Sequence, residues 1–129
     1  MTSVTALGDL AAIEYADVLW AGFVMTIKIS AVGIIGSLVV GLTGAAIGEL
    51  RIPVLRQAVR IYVEAIRNTP LLVQVFTLFF VLPTLGITLS PFVVGCIALV
   101  AWGGAYNVEN FRAGLGAVAH RYLDRKSVV

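Results

Sequence analysis

Charge is scarce in this sequence: only 12% of its 129 residues are Asp, Glu, Lys or Arg, about half the share that a soluble domain carries. Nine basic and seven acidic side chains are too few to cover a globule of this size, and they fall into clusters between long apolar runs. With 60% hydrophobic residues and a mean hydropathy of +1.00, disorder is excluded and a membrane protein is implied. A single cysteine, Cys96, excludes an intrachain disulfide and a thiol cluster. A single histidine, His120, in a polar tail leaves no His/Cys/carboxylate grouping at metal-ligand spacing. There is no phosphate loop of the Gly-x-x-x-x-Gly-Lys-Ser/Thr type. The residues thus offer no catalytic group, no metal site and no cofactor, and the chain reads as a non-enzyme. A net charge of only +2, with basic residues flanking apolar runs, argues for topology signals and against a nucleic-acid partner.

What the sequence has in quantity is uninterrupted apolar length. Ile29 to Gly48 is free of charge and as a helix rises about 30 Å, the thickness of a bilayer's hydrocarbon core. This first span starts earlier, near Trp20 to Gly22, because Lys28 can extend its ammonium to the interface along its alkyl stem. The next charge-free run, Asn68 to Val108, is twice as long and is cut near its middle by the helix breakers of Leu82 to Pro91. Two more spans are predicted there. The expected organisation is all-α and polytopic: a segment over 1–18, spans over about 22–48, 62–83 and 92–111, and a tail over 112–129. Residues 1–18 hold no Lys or Arg, and neither does the loop between Pro83 and Pro91. Arg51, Arg56, Arg60 and Arg67 border the first connection, and Arg112, Arg121, Arg125 and Lys126 follow the third span. The positive-inside rule then predicts an outside N-terminus and a cytoplasmic C-terminus in a multi-pass protein of the cell membrane.

Some residues exceed what spanning requires. In the first span Gly33, Ser37, Gly41 and Ala45 recur every four residues, giving one helix face almost no bulk and allowing another helix to approach. In the second, Arg60, Glu64, Arg67, Leu71, Gln74 and Thr77 or Leu78 follow steps of four and three and so share a face. A central charge facing lipid costs about 2.5–3.5 kcal/mol, so such a stripe faces protein or water. It either lines a pathway or pairs internally among headgroups. Pro70 removes the amide that would bond the Ile66 carbonyl, so a kink or break is expected there, with Asn68 or Thr69 capping the restarted helix. At the end of the third span, Asn107 lies on one face with Gly103, Asn110 and Gly114, while Glu109 and Arg112 form a polar pair one turn apart on another. This crowding fits either contact with another helix or an interfacial belt with Trp102 and Tyr106.

The stretch Tyr62-Val63-Glu64-Ala65-Ile66-Arg67-Asn68-Thr69-Pro70-Leu71-Leu72-Val73-Gln74 resembles the signature of the membrane subunits of bacterial ABC importers for polar amino acids. Leu82-Pro83, Leu89-Ser90-Pro91-Phe92, Gly104-Ala105-Tyr106 and Glu109, Phe111, Arg112 and Gly114 follow in that family's order, and Gly22 with Thr26 to Ser30 resembles its first span. The resemblance covers about 22–118. It implies the first part of a type I ABC importer permease domain. It also implies an ABC ATPase subunit, a second permease subunit and an extracytoplasmic amino-acid-binding protein as partners, besides membrane lipid. Glu64, Arg67, Thr69, Gln74, Thr77 and Asn107 are then the candidates for the substrate pathway. Family members continue into a cytoplasmic Glu-Ala-Ala...Gly loop that docks into the ATPase. Here the chain reads Asp124 to Val129 at the corresponding place, so a C-terminally truncated permease is expected. The alternative is a three-helix remnant that inserts and packs but transports nothing.

Overall fold

The computed structural model describes residues 2–127, with side chains from 4 to 125. Among these, every regular element is helical: α1 (Thr2–Glu14), α2 (Ala16–Glu49), α3 (Pro53–Arg67), α4 (Leu71–Phe76) and α5 (Pro91–Ser127). Between α4 and α5 lie a π-helical turn (Thr77–Val81) and a 3-10 turn (Leu82–Leu85). Met1, Val128 and Val129, assigned above to the N-terminal segment and the tail, lie outside the described residues.

Nothing between Ala16 and Glu49 interrupts a helix, and α2 runs for 34 residues, or about 51 Å. It begins earlier than Trp20, and the amide bonds Tyr15→Ala11 and Leu19→Tyr15 carry it almost seamlessly out of α1. The small residues Gly33, Ser37, Gly41, Ala45 and Gly48 are the buried residues of α2, and the surface that buries them is α5. A methyl group built on Gly33 would meet Leu99, on Gly36 Val100, on Gly44 Val108 and on Gly48 Arg112, while on Gly41 it would overlap the Asn107 Cβ. α5 answers with its own small residues: Gly103 lies against Ser37 and Gly104 against Val40 and Tyr62. Residue numbers rise together along both helices, so α2 and α5 pack parallel. Two parallel neighbours require the chain between them to return across the same thickness. In lipid, where helix association gains nothing from hiding apolar surface from water, this close backbone approach supplies the dispersion contact that holds the pair.

The return is made by the second half of the connection. Pro53 occupies the first turn of α3, where a missing N–H costs no hydrogen bond. Near the start of α3 the Arg56 guanidinium donates to the Leu50 carbonyl at 3.2 Å, and at its end Arg67 reaches Glu109. Glu109 is less than a turn from Arg112, which itself packs on Gly48. α3 therefore starts beside the end of α2 and reaches α5 along the stretch from Ala101 to Glu109. The chain then turns through 100° into the arm Leu71–Leu85. That arm rises about 22 Å beside α5. Gly86, at φ 84°, ends it in the left-handed region that glycine adopts without strain. Ser90 starts α5 by accepting the Val93 amide at 3.3 Å, just ahead of Pro91.

The break expected at Pro70 is sharp: within the stretch expected as a span over 62–83, a helix and a separate arm meet at 100°, because Pro70 interrupts the hydrogen-bond ladder. Arg60, Glu64 and Arg67 thus do not share a continuous face with Gln74 and Thr77. No side chain of Asn68 or Thr69 caps the restart, whose first flanking residue is Pro70. Beyond residue 111, α5 continues without a break to Ser127, since Arg112 to Ser127 holds no proline and its two glycines are tolerated.

Candidate functional site

The elbow between α3 and α4 is built by side chains that replace what Pro70 removes. Without a Pro70 amide the Ile66 carbonyl has no i+4 donor. The Gln74 amide nitrogen supplies one, donating to the Ile66 carbonyl at 3.1 Å and to the Thr69 carbonyl at 3.0 Å. The Thr69 hydroxyl donates back to the Ala65 carbonyl at 2.8 Å. Gln74, a pathway candidate in the sequence, therefore spans the bend as a brace. Thr77 stands apart at the head of the π-helical turn, its hydroxyl bonded to the Val73 carbonyl at 2.8 Å.

α3 is anchored to α5 by two aromatic contacts that the sequence did not disclose. The Tyr62 hydroxyl donates to the Ala101 carbonyl at 2.6 Å, and Gly104 leaves the space through which the ring reaches the α5 backbone. The Arg67 guanidinium lies 5.1 Å from the centre of the Tyr106 ring, within cation–π range. The same arginine faces Glu109 at 3.7 Å. Glu109 is thus paired across helices, while Arg112 extends over the bare backbone at Gly48. Along α3, Arg60 and Glu64 pair at 3.2 Å with both side chains about two-thirds exposed, worth only a few tenths of a kcal/mol.

These residues surround a groove of about 800 Å³ between α3 and α5, with Arg56, Arg60, Glu64, Arg67, Glu109 and Arg112 in its walls. Of the pathway candidates, Glu64 and Arg67 meet here, and Thr69 adjoins them at the elbow. Asn107 does not. It points the other way, donating to the Ser37 hydroxyl at 3.2 Å across the α2–α5 seam, while Ser37 donates to the Ile34 carbonyl at 2.9 Å. Two polar side chains thus satisfy each other where the helices are closest, as burial requires. The signals that could have found the missed anchors were the aromatic at Tyr62, three residues ahead of Ala65, and the glycine pair Gly103-Gly104 exposing α5 backbone.

No protein-family model matches the chain. Among curated proteins it is 36% identical over 105 residues to the probable glutamine ABC transporter permease GlnP of Bacillus subtilis, covering 81% of this chain and 48% of that protein. It is 34% identical to the probable amino-acid ABC transporter permease y4tG of Sinorhizobium fredii, over 90% of this chain and 51% of the relative. To the L-cystine permease TcyB of B. subtilis it is also 34% identical, over 85% of this chain and 47% of the relative. The chain spans about half the length of the curated relatives it matches. A crystal structure of an amino acid ABC transporter with histidines is similar at a TM-score of 0.79 and 31% identity, over 88% of this chain and 56% of that one.

Proposed function

We propose that this chain, a homologue of the permease subunits of amino-acid ABC transporters over about half of their length, forms part of the membrane pathway that passes a polar amino acid inward. ATP hydrolysis then belongs to a separate ATPase chain. A second permease subunit and an extracytoplasmic binding protein complete the assembly. In this reading the N-terminus lies outside and the arginine-bearing end of α2, α3 and α5 is cytoplasmic, in keeping with the distribution of Lys and Arg.

The observation that carries the proposal is the elbow. The stretch that bears the signature, Tyr62 to Gln74, forms a 100° turn tied to α5 by Tyr62 and Arg67 and closed by Gln74. Its polar groups Glu64 and Arg67 face an open groove. A bend held by hydrogen bonds between two rigid arms is the kind of element whose geometry a partner can bias between two states. Glu64, Arg67, Thr69 and Thr77 remain the pathway candidates. Gln74 and Asn107 contribute by holding the elbow and the helix seam.

The test is a graft. Residues 22–118 replace the matching segment of a B. subtilis glutamine permease in cells lacking that permease, and uptake of labelled glutamine, cystine and histidine is measured. ATP-dependent uptake is expected, with loss of transport when Glu64 and Arg67 are both replaced by alanine. A graft that reaches the membrane and holds its ATPase yet takes up none of these substrates would refute the proposal.

A further inference from the structure

The groove between α3 and α5 carries an excess of positive charge that its own carboxylates do not balance. Four guanidiniums stand in its walls against two carboxylates. Glu64 is taken by Arg60 at 3.2 Å and Glu109 by Arg67 at 3.7 Å. Neither pair reaches Arg56, which donates to the Leu50 carbonyl, or Arg112, which lies over Gly48. Each retains guanidinium donors, and two such planar groups on facing helices suit one tetrahedral oxyanion, which arginine binds through paired N–H donors.

A second feature adjoins the first. On the neighbouring side of α3 an open apolar face is formed by Val54, Ala58 and Ile61, and it shares Pro53 and Gln57 with the basic groove. Val54 is 75% exposed and Ile61 57% exposed. Because α3 begins at Pro53, directly after α2 and its apolar run end at Glu49, the Pro53–Arg56 end of the basic groove and of the apolar face beside it belongs at the edge of the hydrocarbon layer. We propose that this composite site binds an anionic phospholipid, its phosphate between Arg56 and Arg112 and one acyl chain along Val54, Ala58 and Ile61. The inference needs only the membrane placement of the helices. It is independent of whether the chain transports amino acids.

The test uses the full chain purified in a non-ionic detergent and analysed by native mass spectrometry with phosphatidylglycerol, phosphatidylcholine or inorganic phosphate added. Phosphatidylglycerol should be retained over phosphatidylcholine, and an Arg56→Gln, Arg112→Gln double variant should lose that retention by about 30-fold, as expected for two basic side chains facing an anionic lipid. An Arg121→Gln, Arg125→Gln variant of the tail should keep it. Protection of the buried Cys96 thiol from maleimide checks that each variant is folded. If the double variant is not, an Arg112→Lys single variant, which keeps the charge and removes the paired donors, should still weaken retention. Equal retention of both lipids, retention unchanged by the groove substitutions, or full displacement of the lipid by inorganic phosphate alone would each overturn the proposal.

Discussion

Replacing Gly41 by alanine adds one methyl group at the point where α2 and α5 are closest. There the new Cβ would overlap the Asn107 Cβ and would lie 3.1 Å from the Asn107 carbonyl carbon and 3.2 Å from its Cα. Carbon atoms rest at about 3.5–4.0 Å. Two of the three obstacles are backbone, so no rotamer change relieves the clash, and α5 must move away. That movement also stretches the 3.2 Å Asn107–Ser37 hydrogen bond and loosens the Val108 contact at Gly44, one turn further along. Overpacking of this kind costs about 1–3 kcal/mol, a factor of roughly 5 to 150 in the equilibrium between packed and separated helices. A helical Gly→Ala change also gains up to about 1 kcal/mol from propensity. Gly22→Ala is therefore the matched control, since a methyl group there meets nothing within 4 Å. Gly33→Ala should fall between them, because its neighbour at 3.1 Å is the side chain of Leu99, which can shift. The single cysteine supplies the assay: Cys96 is buried on α5, and its labelling by a thiol reagent during denaturation in mixed micelles reports loss of the packing around α5. Gly41→Ala should label at lower denaturant than Gly22→Ala. Coincident curves would refute the packing argument.

Gln74→Leu keeps the approximate volume and removes both bonds at the elbow; the Ile66 carbonyl keeps the Thr69 amide at 3.4 Å, so the cost comes mainly from the Thr69 carbonyl and is about 1 kcal/mol. Amide hydrogen exchange over residues 66–75 should accelerate while that of α2 stays unchanged, and an unaltered exchange pattern would show that Pro70 alone sets the bend. For orientation, cysteines placed at Thr5, Thr88 and Ser127 in a Cys96→Ala background should be labelled from outside sealed cells at the first two positions and protected at the third. The reverse pattern would overturn the assigned orientation.

Burial in lipid makes certain patterns readable without coordinates. Apolar length sets the number of helices, because backbone groups in hydrocarbon must bond within their own segment, and the positions of Lys and Arg set an expected direction. The four-residue spacing of Gly33, Ser37, Gly41 and Ala45 identified a face, and that face is the one buried against α5. Pro70 located a break. What remained illegible was the partner of each group. The spacing of Arg60, Glu64, Arg67, Gln74 and Thr77 describes one stripe only on a straight helix, and a bend of 100° divides it between two arms with different surroundings.

The sequence by itself therefore determined an all-helical membrane chain, its small-residue face and the site of its break, since each follows from local periodicity or from a single residue's backbone chemistry. Tertiary structure alone decided that α2 packs directly on α5, that Gln74 closes the elbow by serving the Ile66 and Thr69 carbonyls, that Arg67 pairs with Glu109 and not with Glu64, and that Arg56 and Arg112 share a groove. The reason is physical: an angle between rigid helices has no periodic trace in sequence, yet it fixes which of several chemically equivalent partners each polar side chain can reach.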